Sequence, residues 1–351
     1  MKKDIRSLTY GELENEIKAL GLPRFRAGQI YRWLHVSLVE SFEEMTDLPK
    51  SLRQSLNDNF VIFGCTIEMK LVSEYDSTIK YLFALNDGEV IETVLMKYKY
   101  GYTVCVSSQV GCRMGCKFCA STLGGVVRSL LPSEILGQVY AVERDNGIRV
   151  SHIVMMGMGE PLDNFDNVMR FLQLVTDEKG QNIGMRHISL STCGIVPKIY
   201  ELMDKNLQLT LSVSLHAPND EIRSSMMPVN NAYNIEKLLS ACREYAKKTS
   251  RRISFEYALV RGVNDTAACA AELASRLGGM LCHVNLIPVN EVKETKCRES
   301  YPETVKKFAD VLSSKGITVT VRRKLGADIN AACGQLRRSR TANNSATGER
   351  N

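Results

Sequence analysis

In residues 1–60 apolar positions recur three and four apart: Leu13, Ile17 and Leu20, then Ile30, Trp33, Leu34 and Leu38 beyond a break at GLPRF. That period lays an apolar stripe along a helix and predicts a small N-terminal helical domain. From position 62 the period shortens. The run IKYLFALNDGEVIETVLMKY holds two β-rich stretches around Asn86-Asp87-Gly88, a two-strand turn signal, and predicts a β-hairpin extension within residues 61–97. From 98 to 334 strand-like and helix-like runs alternate. Strands are expected at YTVCVSS (102–108), HIVMMG (152–157), HISLST (187–192), LTLSVSLH (209–216), ISFEYALV (253–260), HVNLIP (283–288) and ITVTVRR (317–323), with amphipathic stretches such as SEILGQVYAVERD between them. Repeated β/α units force parallel strands with helices outside, as an open sheet or a barrel, so the fold class is α/β. Residues 335–351 are polar, basic and poor in apolar positions, and are expected to be disordered.

Composition agrees with a folded chain. Of 351 residues, 44% are hydrophobic and 24% charged, enough for a substantial core. No apolar run approaches the roughly 20 residues of a membrane span. The opening MKKDIRSLTYGELENEIKAL lacks the apolar segment of a secretory signal, so a cytoplasmic protein with no membrane partner is expected. Thiols stay reduced there, and the eleven cysteines are not a disulfide framework. Cys65, Cys242, Cys269 and Cys282 fall within strand or helix patterns and read as core.

Charge is unevenly placed. Residues 320–351 carry seven Lys/Arg against two acids, which is +5 of the net +6, and Lys18, Arg24, Arg26 and Arg32 stand in a stretch with no acid between Ile17 and Val39. Such stretches are either solvated faces or patches for a polyanion.

One stretch departs from the bland pattern: GCRMGCKFCAS places Cys112, Cys116 and Cys119 in eight residues. A structural zinc site closes four ligands, and no fourth cysteine stands nearby. Thiolates also hold iron–sulfur clusters, and a cubane with three protein ligands leaves one iron open to a substrate. Downstream, Met158-Gly159-Glu160-Pro161 follows a predicted strand. Its glycine permits close backbone approach, and its carboxylate and carbonyls suit an ammonium group, although Glu160 and Asp163 are equally placed to cap the helix that follows. Gly159, Glu160, Ser191, His216 and Asn290 all fall at or near the C-terminal ends of predicted strands, the rim where β/α barrels gather their sites.

The C-x3-C-x2-C spacing with Phe118 before the last cysteine resembles radical S-adenosylmethionine (SAM) enzymes. LPRFRAGQIYRWLH, VIETVLMKY, VCVSSQVGCRMGCKFCAS, HIVMMGMGEPLDN, STCGIVP, SVSLHAPNDEIRSSMMPVN, RGVND, CHVNLIPVN and ADINAACGQLRR, in that order, resemble one branch: the RlmN/Cfr radical-SAM RNA methyltransferases.

The resemblance implies a partial (β/α)6 barrel. It also implies one [4Fe-4S] cluster on Cys112, Cys116 and Cys119, with SAM on the open iron and against Gly159, Glu160, Ser191, Ser214, Leu215, His216 and Asn290. Carbons C2 and C8 of adenine are too electron-poor to attack a sulfonium methyl, so a carbon radical must be delivered. By resemblance, Cys333 takes a methyl group from one SAM. A second SAM, cleaved at the cluster, yields a 5′-deoxyadenosyl radical that removes hydrogen from that methyl. The resulting methylene adds to adenine, and Cys105 resolves the protein–RNA link through a transient disulfide, with Glu92 as proton acceptor. Read from burial preferences alone, Cys105 is a strand-core thiol and Glu92 a solvent-facing hairpin carboxylate. His216 alone is an ambiguous strand-end histidine, and Cys193 has no assigned role.

By family, the targets are adenosine 2503 of 23S rRNA and adenosine 37 of certain tRNAs, with an electron donor such as flavodoxin, and the chain is expected to act as a monomer. Pro161, Pro288 and Arg322-Arg323-Lys324 favour C2 over the C8 chemistry of the Cfr-like branch. An electron-carrying iron–sulfur module needs the cluster but neither the SAM segment nor Cys333. A radical enzyme for a small metabolite needs no basic helical domain.

Overall fold

The computed structural model describes residues 2–290 and 297–331. Three helices open the chain: α1 (Tyr10–Ala19), α2 (Phe25–His35) and α3 (Lys50–Asn59). A capping box starts α1, with the Glu12 N–H donating to the Thr9 hydroxyl and the Thr9 N–H to the Glu12 carboxylate. The predicted stripe becomes the core of this region, where Leu13, Ile17, Ile30 and Leu34 are buried with Phe42, Leu52 and Leu56. Polar contacts fix it to the remainder. The Tyr31 hydroxyl donates to Asp177 at 3.1 Å, His35 Nδ1 lies 2.9 Å from the Tyr140 hydroxyl, and Arg170 pairs with Glu12 at 2.7 Å.

Ten strands form one sheet in chain order: β1 (Thr66–Val72), β2 (Ile79–Ala84), β3 (Val90–Tyr98), β4 (Gly101–Cys105), β5 (Val150–Met155), β6 (Ile188–Thr192), β7 (Thr210–Ser214), β8 (Ile253–Leu259), β9 (Cys282–Pro288) and β10 (Val319–Val321). Neighbours from β1 to β4 are antiparallel, and those from β4 to β10 are parallel. The parallel crossovers run through α4 (Pro132–Asn146), α5 (Phe165–Val175), α6 (Val196–Asp204), α7 (Asp220–Met226) with α8 (Ile235–Thr249), α9 (Ala267–Leu277) and α10 (Pro302–Ser314). These are six β/α units ending on a last strand, and the sheet stays open between β1 and β10: a partial barrel.

The hairpin expectation needs a correction. β2 and β3 do pair around Gly88, whose φ of +84° suits a residue without Cβ. β1 adds a third strand, however, and β3 pairs directly with β4, so the hairpin is part of the barrel sheet. β1 is hard to read from sequence because it is an edge strand with Ile67 and Val72 exposed, leaving no apolar face to mark it.

Two faces of this sheet can be told apart. The Thr93 hydroxyl donates to Gln138 on α4, so Thr93 faces the helices, and its neighbours Glu92 and Val94 face the barrel interior. Lys80 and Cys105 stand directly opposite Val94 in the register and share that interior face. Cys333 and the predicted tail at 335–351 lie outside the described residues.

Candidate functional site

The cysteine loop is shaped by glycine. Gly111 closes a short ribbon between Gln109–Gly111 and Val126–Ser129, and takes φ +76°. A Cβ there would lie 1.9 Å from the Gly125 carbonyl oxygen, so no other residue fits. The Cys112 N–H donates to that same carbonyl at 3.0 Å, the Cys119 N–H donates to the Cys116 carbonyl at 3.1 Å, and the Lys117 N–H anchors the loop to Met226 at 3.0 Å. All three predicted cysteines thereby face one cleft.

That cleft is concave and lined mainly by apolar side chains with a few convergent polar groups, the form a small-molecule cofactor site takes. Gly159, Glu160, Ser191, Ser214, His216 and Asn290 also line it, at the C-terminal rim of β5, β6, β7 and β9. Leu215 does not, because its side chain turns into the core. Cys193 does, packed with Met226 and Met227 beside Cys116 and Phe118. Among the described residues no three His, Cys, Asp or Glu side chains gather for a single metal ion.

Burial pushes the Cys112 thiol up to about 12 and raises Cys116 as well, with neighbouring cysteines and Glu160 adding to the effect. Without a cation they remain neutral thiols, and a bound iron–sulfur group would convert them to thiolates. Three soft sulfur donors on one glycine-shaped loop, beside a cleft with room for a second ligand, fit such a group.

Glu160 behaves as the capping alternative expects. Its Oε1 accepts from the Leu162 N–H at 3.0 Å, and its Oε2 from the Cys193 N–H at 2.7 Å, so the carboxylate ties the loop after β5 to the loop after β6. Asp163 is not a cap: it pairs with Arg113 at 2.9 Å and accepts from the Gln109 amide at 2.7 Å. Gly159 takes φ +100°, with the space for a Cβ already filled by Gln109.

His216 adopts a left-handed conformation, φ +57°, which a non-glycine residue holds only under constraint. Two bonds supply it: the Ala258 N–H donates to His216 Nδ1 at 2.9 Å, and the Asn264 amide donates to the His216 carbonyl at 2.7 Å. Nδ1 is thus an acceptor and Nε2 carries the proton. Burial, with Arg223 adding to it, holds the imidazole down at about 3, so it stays neutral. Phe118, between the second and third cysteines, packs edge-on against this ring at 4.9 Å.

Glu92 is not a solvent-facing carboxylate. It is buried and pairs with Lys80 at 3.1 Å, because the register turns both inward. Cys105 occupies the strand-core position that burial preferences give it, on the same inner face.

Glu256, Arg223 and Asn264 were not singled out from sequence, and Arg322 was named only as a mark of C2 chemistry. Glu256 and Arg322 line the cleft. Arg223 is fully buried and donates to the carbonyls of Cys193 at 2.6 Å and of Leu215 and Ser214 at 3.2 Å, binding the loop after β6 to the end of β7. Asn264, in RGVND, holds both His216 and Ala258. Glu256 had a legible signal: in ISFEYALV the alternate positions Ser254, Glu256 and Ala258 are the non-bulky inward set.

Comparison with known proteins finds relatives along nearly the whole chain. Residues 106–272 match the Radical SAM superfamily, and residues 3–62 match the ribosomal RNA large subunit methyltransferase N-terminal domain. A probable dual-specificity RNA methyltransferase RlmN of Lachnoclostridium phytofermentans is 53% identical over 97% of this chain and 96% of its own length. The Clostridium novyi protein of the same description is 52% identical over 97% of this chain and 100% of its own. A crystal structure of a radical SAM methyltransferase from Sphaerobacter thermophilus superposes with a TM-score of 0.93 at 45% identity, covering 96% of this chain and 100% of that one. With relatives this similar along nearly its full length, the chain belongs to the RlmN family of radical SAM RNA methyltransferases.

Proposed function

We propose that the protein methylates C2 of adenosine 2503 in 23S rRNA and C2 of adenosine 37 in tRNAs, as a cytoplasmic monomer supplied with electrons by a donor such as flavodoxin. The observation that carries this reading is the shared interior: Glu92 and Cys105 face the same lumen whose rim holds Cys112, Cys116 and Cys119.

A [4Fe-4S] cluster on these three cysteines, when bound, supplies the electron that cleaves SAM and opens radical chemistry, with two SAM used per turnover. Gly159, Glu160, Ser191, Ser214, Leu215, His216 and Asn290 hold and orient SAM, Leu215 through its backbone and Glu160 through the loops it ties. Cys333 accepts the methyl group, Glu92 takes a proton, and Cys105 attacks Cys333 sulfur to free the RNA. Lys80 supports this assignment, since it pairs with Glu92 and donates to the Asn330 carbonyl at 3.4 Å, three residues before Cys333. Ala331 stands in a pocket with Asn290 and Arg322, both of which also line the cleft.

RNA is met by residues 1–60. Phe25 is 61% exposed, with the Arg26 guanidinium over its ring at 4.8 Å, a pair suited to stacking a splayed base. The test is anaerobic incubation with an rRNA fragment and SAM, followed by nuclease digestion and mass spectrometry. The expected product is 2-methyladenosine, with S-methyl-Cys333 on the protein. An 8-methyl product, or full activity in Cys333→Ala, contradicts the proposal.

A further inference from the structure

The barrel interior carries a closed ring of hydrogen bonds that the site described above does not use. Ser254 and Glu256 on β8, His283 and Asn285 on β9 and Thr320 on β10 are adjacent in register: Ser254 opposite His283, Glu256 opposite Asn285, Asn285 opposite Thr320. The Ser254 hydroxyl donates to Glu256 Oε1 at 3.0 Å, and Ser254 Oγ lies 3.3 Å from His283 Nδ1. His283 Nε2 lies 2.8 Å from Thr320 Oγ1, the Thr320 hydroxyl donates to Asn285 Oδ1 at 3.0 Å, and the Asn285 amide donates to Glu256 Oε2 at 2.7 Å. Its two ends open on different spaces. Glu256 lines the cleft at the rim, whereas Ser254 and His283 line a cavity at the opposite end of the barrel with Thr210, Arg251 and Arg252.

Proton counting shows what this ring can do. With the proton on Glu256, the carboxylic acid donates to Ser254, Ser254 to His283 Nδ1, His283 Nε2–H to Thr320, and Thr320 to Asn285, so every donor has one acceptor. With the proton on His283, Nδ1–H donates to Ser254 and Ser254 to Glu256, and the ring is again complete. Passing between the two states breaks one O–H bond on Glu256 and one on Ser254, and forms one O–H on Ser254 and one N–H on His283. No electron moves and no side chain must rotate far.

We propose that Glu256, Ser254 and His283 form a proton relay that carries protons released in the cleft to solvent at the far end of the barrel. The relay rests on the proposed methyl transfer only for its proton source: moving a methyl group from a sulfonium to a thiol turns S–H into S–CH3 and leaves one proton behind. Glu256 accepts that proton, and His283 releases its Nε2 proton to water in the far cavity, which leaves a neutral imidazole protonated on Nδ1 that exchanges its tautomer before the next proton enters. The charged groups facing the relay are Arg322 at the cleft end and Arg251 and Arg252 at the far end. Burial raises Glu256, countered by Arg322 and the hydrogen bonds from Asn285, Ser254 and Ser212. Burial, and then Arg252, holds His283 below its ordinary value, so both shifts make Glu256 the resting holder of the proton and His283 its holder only in passing.

The test follows His283 by nuclear magnetic resonance in the intact, anaerobically purified protein with labelled histidine, its signal assigned with His283→Gln. In the wild type, His283 is expected to titrate in two steps, because it senses Glu256 through Ser254. Glu256→Gln and Ser254→Ala should each leave one step, and Ser254→Thr should restore two. A single step in the wild type, or two steps surviving both substitutions, overturns the relay. Ser254→Ala should also slow formation of S-methyl-Cys333 at least about tenfold, within the range for losing a positioned proton-transfer group. If the wild type forms no S-methyl-Cys333, the proposed function fails while the titration still decides the relay.

Discussion

Lys80 and Glu92 meet 3.1 Å apart inside the sheet, with side chains 10% and 6% exposed. Because Lys80 also donates to the Asn330 carbonyl, the pair couples β3 to the segment leading to Cys333. Removing the cation leaves a carboxylate buried without it, which costs far more than a surface pair. Lys80→Met is expected to lower unfolding free energy by about 3–5 kcal/mol, and Lys80→Met/Glu92→Leu to recover most of it. Chemical denaturation of the three proteins checks this; a loss under about 1 kcal/mol, the size of a surface pair, would contradict it.

His35 sets part of the acid limb of stability. Burial holds it down at about 3, below the ~6.5 of an unfolded chain, so the unfolded state takes up the proton first. Its contribution is fully present above about pH 6.5 and is lost as pH falls from there through about 3. His35→Gln should flatten the dependence of the melting temperature on pH across that window. An unchanged slope would show that the imidazole is not neutral in the folded state.

Gly111→Ala should dismantle the cysteine loop and little else. Its Cβ would collide with the Gly125 carbonyl that also accepts from Cys112. A strained left-handed alanine adds on the order of 1–3 kcal/mol. The variant is expected to fold but to retain well under half of the wild-type iron after anaerobic reconstitution, read by iron and sulfide assay. Full iron content would show that the loop tolerates the shift.

Phe25→Ala should weaken RNA binding about tenfold, the effect of losing one base stack, with little change in salt dependence. Arg26→Ala should weaken it less and reduce the salt slope by about one counterion. Filter binding at several salt concentrations separates the two effects. If neither variant changes affinity, RNA is met elsewhere on the chain.

The barrel was legible because its parallel strands alternate buried and half-buried positions and most of its helices carry one apolar stripe, so both periods stand out in the sequence. Cys112, Cys116 and Cys119 were legible by spacing alone. Glu92 and Cys105 were not, since nothing local says that Glu92 meets Lys80 across β2 and β3; only the family resemblance singled them out. Arg223 and Asn264 were missed because each works through backbone carbonyls supplied by distant loops, and carbonyls leave no mark in a sequence. Glu256 was readable from alternation, yet its partners on β9 and β10 come from register, which only the assembled sheet supplies.

The central claim is that three cysteines hold a cluster whose open position takes SAM. Electron paramagnetic resonance of the anaerobically reduced protein tests it most directly. A cluster signal that changes when SAM is added, and that is absent from Cys112→Ala, Cys116→Ala and Cys119→Ala alike, is the predicted result. A signal indifferent to SAM, or one that survives loss of any of these three thiols, would contradict the account.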